Sequence, residues 1–227
     1  MKKCLICHAT LHPEVSWRQV LLLNNDKTIC NRCEQSFTKI GGLICLICGR
    51  PMKMDEVCND CMNWEKSNSN HLLKNRSLFT YNEKMREVFS TFKFRGDVEL
   101  LNIFKCDFKA LFKREYPNTN LVVPIPLSLE RHYERGFNQA ELLAKGLGAE
   151  VADVLGREHS HKQSKMSKKV RMKEVNPFFL TKKVNLTSQH IVIIDDIYTT
   201  GVTVRNVAQL LVYAGAASCS SLTLIRS

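Results

Sequence analysis

Apolar and polar positions along this chain alternate between two periods, and the alternation predicts strands followed by helices. Leu78-Phe79-Thr80-Tyr81 reads as a strand, after which Asn82 can cap a helix whose Met85, Val88, Phe89 and Phe92 form one apolar stripe ending near Gly96. A second helix, from about Asp97 to Arg114, carries Leu100, Phe104, Phe108, Leu111 and Phe112 before Pro117 and Asn118 break it. Leu121-Val122-Val123-Pro124-Ile125-Pro126 is a buried strand running into a proline-stiffened loop. Asn138 with Glu141 resembles a capping box, and Phe137 with Leu142 occupies the staple positions, so a helix follows from Gln139 to about Gly146. The last units are the run Ile191–Ile194, a helix with Val204, Val207, Ala208 and Leu211 at helical spacing, and a strand from Cys219 to Ile225 after Gly215. Strands alternating with helices predict an α/β fold on a parallel sheet, with its site at the carboxyl edge.

The chemistry concentrates where Ile191–Ile194 meets Asp195-Asp196-Ile197-Tyr198-Thr199-Thr200-Gly201-Val202-Thr203. An apolar strand delivers two adjacent carboxylates to its C-terminal end, and a hydroxyl-rich turn then opens a helix. Free backbone N–H groups there attract an anion, Thr199, Thr200 and Thr203 add hydroxyl donors, and Gly201 permits close backbone approach. A phosphate cradle is the natural reading. The paired acids suit either a Mg²⁺ hydration shell or the two hydroxyls of a ribose. The run closely resembles the thirteen-residue 5-phosphoribosyl-1-pyrophosphate (PRPP) motif of type I phosphoribosyltransferases.

Eight of the ten cysteines form four Cys-x-x-Cys pairs, Cys4/Cys7, Cys30/Cys33, Cys45/Cys48 and Cys58/Cys61. Two such pairs complete a tetrahedral Cys₄ zinc shell. Met1-Lys2-Lys3 runs into Cys4 without an apolar leader, and no run is long enough to span a membrane, so a reducing, cytoplasmic setting is expected and zinc is favoured over disulfides. Sequential pairing would give two structural zinc sites; crossed pairing satisfies the spacing equally well. Cys106 and Cys219, in apolar contexts, read as small core residues.

Residues 1–66 lack the periodicity for a core of their own, the situation in which a structural metal supplies stability. The polar stretch 65–70 is the linker candidate. This divides the chain into a cysteine-rich zinc-binding module, 1–66, and a larger domain, 67–227. Of the net charge of +11, +7 lies between residues 157 and 183. A basic stretch of that composition, from Arg157 to Lys173, is most simply a solvated loop. Its electrostatics also suit a nucleic-acid backbone, with Lys162, Lys165, Lys168, Lys169 and Arg171 as expected single-stranded DNA contacts.

The ordered set of motifs covers nearly the whole chain: the four cysteine pairs, Phe92-Lys93-Phe94-Arg95-Gly96-Asp97, Val122 to Leu127, Arg131, Glu134-Arg135-Gly136-Phe137-Asn138-Gln139, and the Asp195-Asp196 run. Together these resemble the ComF family, the ComFC-type competence proteins of bacterial transformation. Gln163, Arg171, Asn176 and Phe178 also fall where that family has such residues. The resemblance implies a zinc module on a type I phosphoribosyltransferase-like fold. It further implies a cytoplasmic protein that helps incoming single-stranded DNA reach recombination, in partnership with the ComF operon helicase and DNA-processing proteins.

Chemistry and family together suggest roles. Asp195 and Asp196, the catalytic candidates, would hold ribose hydroxyls and Mg²⁺, while Thr199, Thr200, Gly201 and Thr203 would cradle the 5-phosphate. The Val123-Pro124-Ile125-Pro126 turn resembles the pyrophosphate-facing loop. Arg131, Arg135 and Lys93 would supply positive charge to PRPP or a related phosphate ligand, and Arg171 with its neighbours would form a closing hood. No base-reading pair is legible between His159 and Phe179. Three function classes follow: a DNA-uptake accessory protein, an active phosphoribosyltransferase with an unidentified acceptor, and a PRPP-sensing regulator, the last disfavoured because no helix-turn-helix pattern is evident.

Overall fold

The computed structural model describes residues 2–11, 28–54, 56–66, 71–95, 98–119, 121–158 and 176–227, with the backbone alone at 93–95. Five strands form one parallel sheet. These are β1 (Leu72–Thr80), β2 (Leu121–Pro124), β3 (Glu150–Val151), β6 (His190–Tyr198) and β7 (Ser218–Arg226), in the order β1-β7-β6-β2-β3. A separate antiparallel hairpin pairs β4 (Leu155–Arg157) with β5 (Phe178–Leu180). Central strands buried on both faces read as continuous apolar runs rather than alternating ones, which is why Ile191–Ile194 and Leu121–Val123 stand out in the sequence.

Helices α3 (Glu83–Arg95), α4 (Glu99–Glu115) and α6 (Gln139–Lys145) supply one face. Phe89, Phe104, Phe108 and Leu143 pack there with Val122, Val192, Ile194, Leu222 and Leu224. Helix α7 (Val202–Tyr213) covers the other face, its Val204, Val207, Ala208 and Leu211 meeting Val123, Ile191, Ile193 and Cys219. The expected caps form: Asn82 Oδ1 accepts from the Met85 N–H at 2.8 Å, and Asn138 Oδ1 accepts from the Ala140 N–H at 3.0 Å. Asn138 Nδ2 also donates to the Ile125 carbonyl at 3.0 Å, tying the entry of α6 to the loop after β2.

The cysteine-rich residues, with short helices α1 (Asn31–Gln35) and α2 (Asn59–Lys66), straddle the β1 edge. Cys4, Cys33 and Phe37 join the α3/α4 face, whereas Cys45, Ile47, Cys48, Cys58 and Cys61 join the α7 face. Between them the chain pairs with β1: the Ile40 N–H donates to the Leu78 carbonyl at 2.9 Å and the Asn75 N–H to the Ile47 carbonyl at 2.6 Å. An edge strand left open is a template for unwanted pairing, and here the module occupies it. The proposed boundary near residue 66 falls where α2 ends, and 67–70 lie outside the described residues.

Two sequence expectations change. β1 begins at Leu72 rather than Leu78, because Asn75 and Ser77, which interrupt its apolar run, are buried and satisfied there. Asn75 Nδ2 donates to the Cys48 carbonyl at 3.1 Å and to Ser77 Oγ at 3.0 Å, while Asn75 Oδ1 accepts from Ser221 Oγ at 2.9 Å. Cys219 is fully buried as expected, but Cys106 is exposed, since it falls on the outer face of α4 between the inward Phe104 and Phe108. Asn75→Leu should cost about 2–4 kcal/mol, because it strands buried polar partners at roughly 1–3 kcal/mol each. Urea unfolding measures this, and an unchanged midpoint would show that the network contributes nothing net.

Candidate functional site

The connections leaving β2 and β6 diverge. From β2 the chain passes through α5 (Leu129–Arg135) and α6 to β3 on one side; from β6 it passes through α7 to β7 on the other. Adjacent parallel strands whose exits separate leave a crevice at their carboxyl ends, the usual ligand position in an open α/β sheet. A cleft of about 200 Å³ lies there, lined on the β2 side by Ile125, Pro126 and Leu127 and on the β6 side by Asp195, Asp196, Ile197 and Thr203. Arg131 and Arg135 from α5, Gln139 from α6 and Arg157 from β4 complete its wall.

The strand end and turn have the geometry that the sequence pattern calls for. Asp195 pairs with Thr223 of β7 in the strand register, and its Oδ1 accepts from the Asp196 N–H at 2.8 Å. Gly201 caps α7 with φ of 83°, a left-handed conformation that places the helix start directly after the turn. A Cβ at this position would collide with the Arg205 guanidinium and the Tyr198 phenol. Thr199 and Thr200 are exposed, Thr203 lines the cleft, and the first-turn N–H groups of α7 make a positive pole beside the two carboxylates.

Three cations face the acid pair. Burial, and then the neighbouring Arg131, hold the Arg135 guanidinium below its ordinary pKa, against the pull of Asp196 and Glu134. Burial and Arg131 do the same to Arg157, against Asp195. Desolvated cations that also repel one another favour an anionic ligand that relieves both penalties. Gln139 is 2% exposed; its Oε1 accepts from Arg135 Nη1 at 3.4 Å, and its Nε2 is a buried donor with no partner among the described residues. A buried amide donor costs about 1–3 kcal/mol until an acceptor reaches it. Three guanidiniums, a buried amide donor and two carboxylates thus share the cleft.

Of the residues expected at a phosphate site, Asp195, Asp196, Thr203, Arg131 and Arg135 line this cleft, whereas Thr199, Thr200 and Gly201 lie in the turn before α7 outside its lining. Val123 and Pro124 instead lie buried in the sheet, and the wall begins at Ile125, because β2 continues in register with Ile193 and Ile194 up to Pro124. The Lys93 side chain, and Lys162, Lys165, Lys168, Lys169 and Arg171, lie outside the described residues. Arg157, read as the start of a DNA-contacting segment, lines the cleft instead, held opposite Phe178 in the β4–β5 pairing. Gln139 was legible as a helix start and as part of the Glu134–Gln139 motif, but not as a cleft residue.

The cysteines gather sequentially into Cys4, Cys7, Cys30 and Cys33, and Cys45, Cys48, Cys58 and Cys61, each set with its sulfurs within 4.8 Å of one another. Cys7 and Cys30 Sγ are 3.7 Å apart, as are Cys48 and Cys58 Sγ. A tetrahedral zinc with bonds of about 2.3 Å requires sulfur separations near 3.8 Å, whereas a disulfide needs about 2.05 Å. Backbone N–H groups of Cys30 and Cys58 donate to Cys4 and Cys45 Sγ at 3.4 and 3.3 Å, stabilising thiolate charge. The Cys48 thiol is held down to about 4, chiefly by a hydrogen bond from Cys61 and also by Arg226, although burial opposes this. The residues fit two zinc ions, which would cross-link segments too short to bury a core. Cys7 is exposed while the second cluster is wholly buried. Reduced protein should therefore carry two zinc ions per chain and yield one to a chelator well before the other; a single release phase would contradict the difference in burial.

Residues 2–62 match the double zinc ribbon domain family, and residues 133–227 match the phosphoribosyl transferase domain family. Competence protein ComFC of Bacillus subtilis (strain 168) is 46% identical over 228 residues, covering 99% of this chain and 95% of the relative. Competence protein ComFC of Streptococcus pneumoniae (strain ATCC BAA-255 / R6) is 36% identical over 225 residues, covering 99% and 100%. The DNA utilization protein YhgH of Escherichia coli (strain K12) is 27% identical over 215 residues, covering 88% and 90%. With two four-cysteine clusters docked on a parallel sheet whose switch-point cleft carries the Asp195-Asp196 turn, this chain belongs to the ComFC family of competence proteins.

Proposed function

We propose that this protein serves DNA uptake and that its cleft binds PRPP, or a closely related phosphorylated sugar, together with Mg²⁺. The competence and DNA-utilization relatives support the first part. The carrying observation for the second is the convergence of Arg131, Arg135 and Arg157 on Asp195 and Asp196 beside the N-terminus of α7. That arrangement has a pole for a 5-phosphate, cations for a pyrophosphate, and carboxylates for ribose hydroxyls and a hydrated Mg²⁺. Melting curves with PRPP, Mg²⁺ and both together test it: stabilisation only by the combination is expected. No helix among the described residues is long and apolar enough to cross a membrane.

A second reading, transfer of phosphoribose from PRPP to an acceptor, draws support from the same arginines, which would stabilise a departing pyrophosphate. Pyrophosphate release with a panel of bases separates turnover from binding alone.

Single-stranded DNA is the proposed macromolecular partner, alongside a competence helicase and DNA-processing proteins, and the support is charge. The +7 between residues 157 and 183 offers lysines that can follow an irregular phosphate backbone. Neutralising about four phosphates gives a slope of log K against log salt of roughly −3. Replacing Lys162, Lys165, Lys168 and Lys169 by Ser should flatten that slope for all sequences alike, and an unchanged slope would move the DNA site elsewhere.

A further inference from the structure

The buried cluster of Cys45, Cys48, Cys58 and Cys61 does not end at its own sulfurs. Two arginines from the larger part of the chain reach it. Arg205 on α7 is 2% exposed; its Nη2 lies 3.8 Å from Cys61 Sγ, its Nη1 donates to the Tyr198 hydroxyl at 2.5 Å, and its guanidinium sits 4.8 Å over the Trp64 ring. Arg226 at the end of β7 is 4% exposed; its Nη2 lies 3.9 Å from Cys48 Sγ, its Nη1 donates to the Tyr198 carbonyl at 3.3 Å, and its guanidinium lies 4.9 Å over the Tyr198 ring.

A guanidinium removed from water demands a compensating anion. Arg205 reaches the Cys61 sulfur and Arg226 the Cys48 sulfur, while Arg226 Nη1 also donates to the Ser227 main-chain oxygen. Four thiolates around Zn²⁺ would carry a net charge of −2, which the buried guanidiniums of Arg205 and Arg226 would offset. Removing the metal would destroy that balance. Both arginines converge on Tyr198, the last residue of β6 before Thr199-Thr200-Gly201. Gly201 is packed so closely on Arg205 and Tyr198 that a side chain there would overlap both. The second cysteine cluster, the arginine pair, Tyr198 and the Thr199–Gly201 turn are thus one contiguous packed unit. The Cys4 cluster packs on the opposite face, against Phe37, Phe79 and Phe104 rather than the turn.

We propose that Arg205 and Arg226 are positioning residues that couple the buried zinc cluster to the phosphate turn through Tyr198, so that the turn holds its anion-binding geometry only while the sulfurs carry their metal-bound charge. The proposal rests on the cleft reading above as to ligand, but the coupling itself is a property of the unliganded chain. Outer partners of metal sites commonly orient the ligands; here the orientation runs outward, from the metal cluster to a distant turn.

Arg205→Lys in the full chain keeps the charge and loses the two-armed reach. This variant should retain two zinc ions and a cooperative melt, yet show displaced amide resonances for Thr199, Thr200, Gly201 and Thr203 and at least tenfold weaker binding of Mg²⁺–PRPP. Cys7→Ser is the matched control: it should lose the other zinc ion while leaving the turn resonances and the affinity within twofold. In protein loaded with ¹¹³Cd, Mg²⁺–PRPP should shift the buried-cluster resonance and leave that of Cys4, Cys7, Cys30 and Cys33 in place. Unmoved turn resonances in Arg205→Lys overturn the coupling. If the turn moves but wild-type protein binds no Mg²⁺–PRPP, the coupling stands and the ligand assignment fails instead. Should Arg205→Lys not fold, Arg226→Lys with the same turn resonances carries the test, and unmoved resonances there overturn the coupling equally.

Discussion

Protein carrying Asp195→Asn and Asp196→Asn should fold, keep both zinc clusters and lose the Mg²⁺-dependent stabilisation by PRPP. The two carboxylates lie at the cleft end of β6, where they face Arg131, Arg135 and Arg157 and add nothing to the apolar packing of the sheet. At a ligand concentration one hundred times Kd, binding stabilises the native state by about 2.7 kcal/mol. For a domain of this size that corresponds to roughly 5–10 °C in Tm. The amides of the double variant cannot supply the anionic oxygens that a hard cation requires, so most of that shift should vanish. Differential scanning fluorimetry with and without Mg²⁺ reads the result. A full shift in the double variant would mean that the acid pair has no part in ligand binding.

Gly201→Val should be the most damaging single change in the turn. A non-glycine residue at φ of 83° costs about 1–3 kcal/mol in backbone strain, and the new side chain also overlaps the Arg205 guanidinium and the Tyr198 ring. Neither neighbour has room to retreat, because both are buried against the second cysteine cluster. The expected loss is about 3 kcal/mol or more, together with loss of PRPP binding. Gly136→Ala is the comparison. It has a similar φ of 74° but nothing within 4 Å of the added Cβ, so only the strain of about 1–2 kcal/mol remains. Equal midpoints for the two variants in urea would show that the packing beneath Gly201 is softer than its geometry implies.

The two glycines illustrate where reading a sequence stops. Both sit after polar residues in turn-like contexts, and only the packing of Arg205 under one of them separates their expected costs. Arg205 itself carried a faint local signal, a lone cation between Val204 and Val207 on an otherwise apolar helix face. Its partners Cys61 and Trp64 are some 140 residues earlier in the chain, so no local pattern could have named them. Arg157 was similarly hidden, since the residues that follow it, Glu158 to Lys162, are polar and solvent-compatible while its neighbours in space are Asp195 and Arg131. Asn75 and Ser77 concealed most of β1, because local polarity cannot announce that a partner hydroxyl waits on β7.

What the sequence by itself determined are the properties carried by short range and residue type. Four Cys-x-x-Cys pairs place sulfurs one turn apart, the Ile191–Ile194 run demands burial on both faces, and Thr-Thr-Gly-x-Thr after two acids sets a glycine-capped turn at a strand end. Tertiary structure alone decided which cysteine pairs close on one another and that the module covers both faces of the β1 edge. It also decided that the buried Arg205 and Arg226 come to 3.8 and 3.9 Å from the Cys61 and Cys48 sulfurs. Those outcomes depend on electrostatics and packing between segments far apart along the chain, where the cost of burying a charge is met only by a partner that folding brings to it.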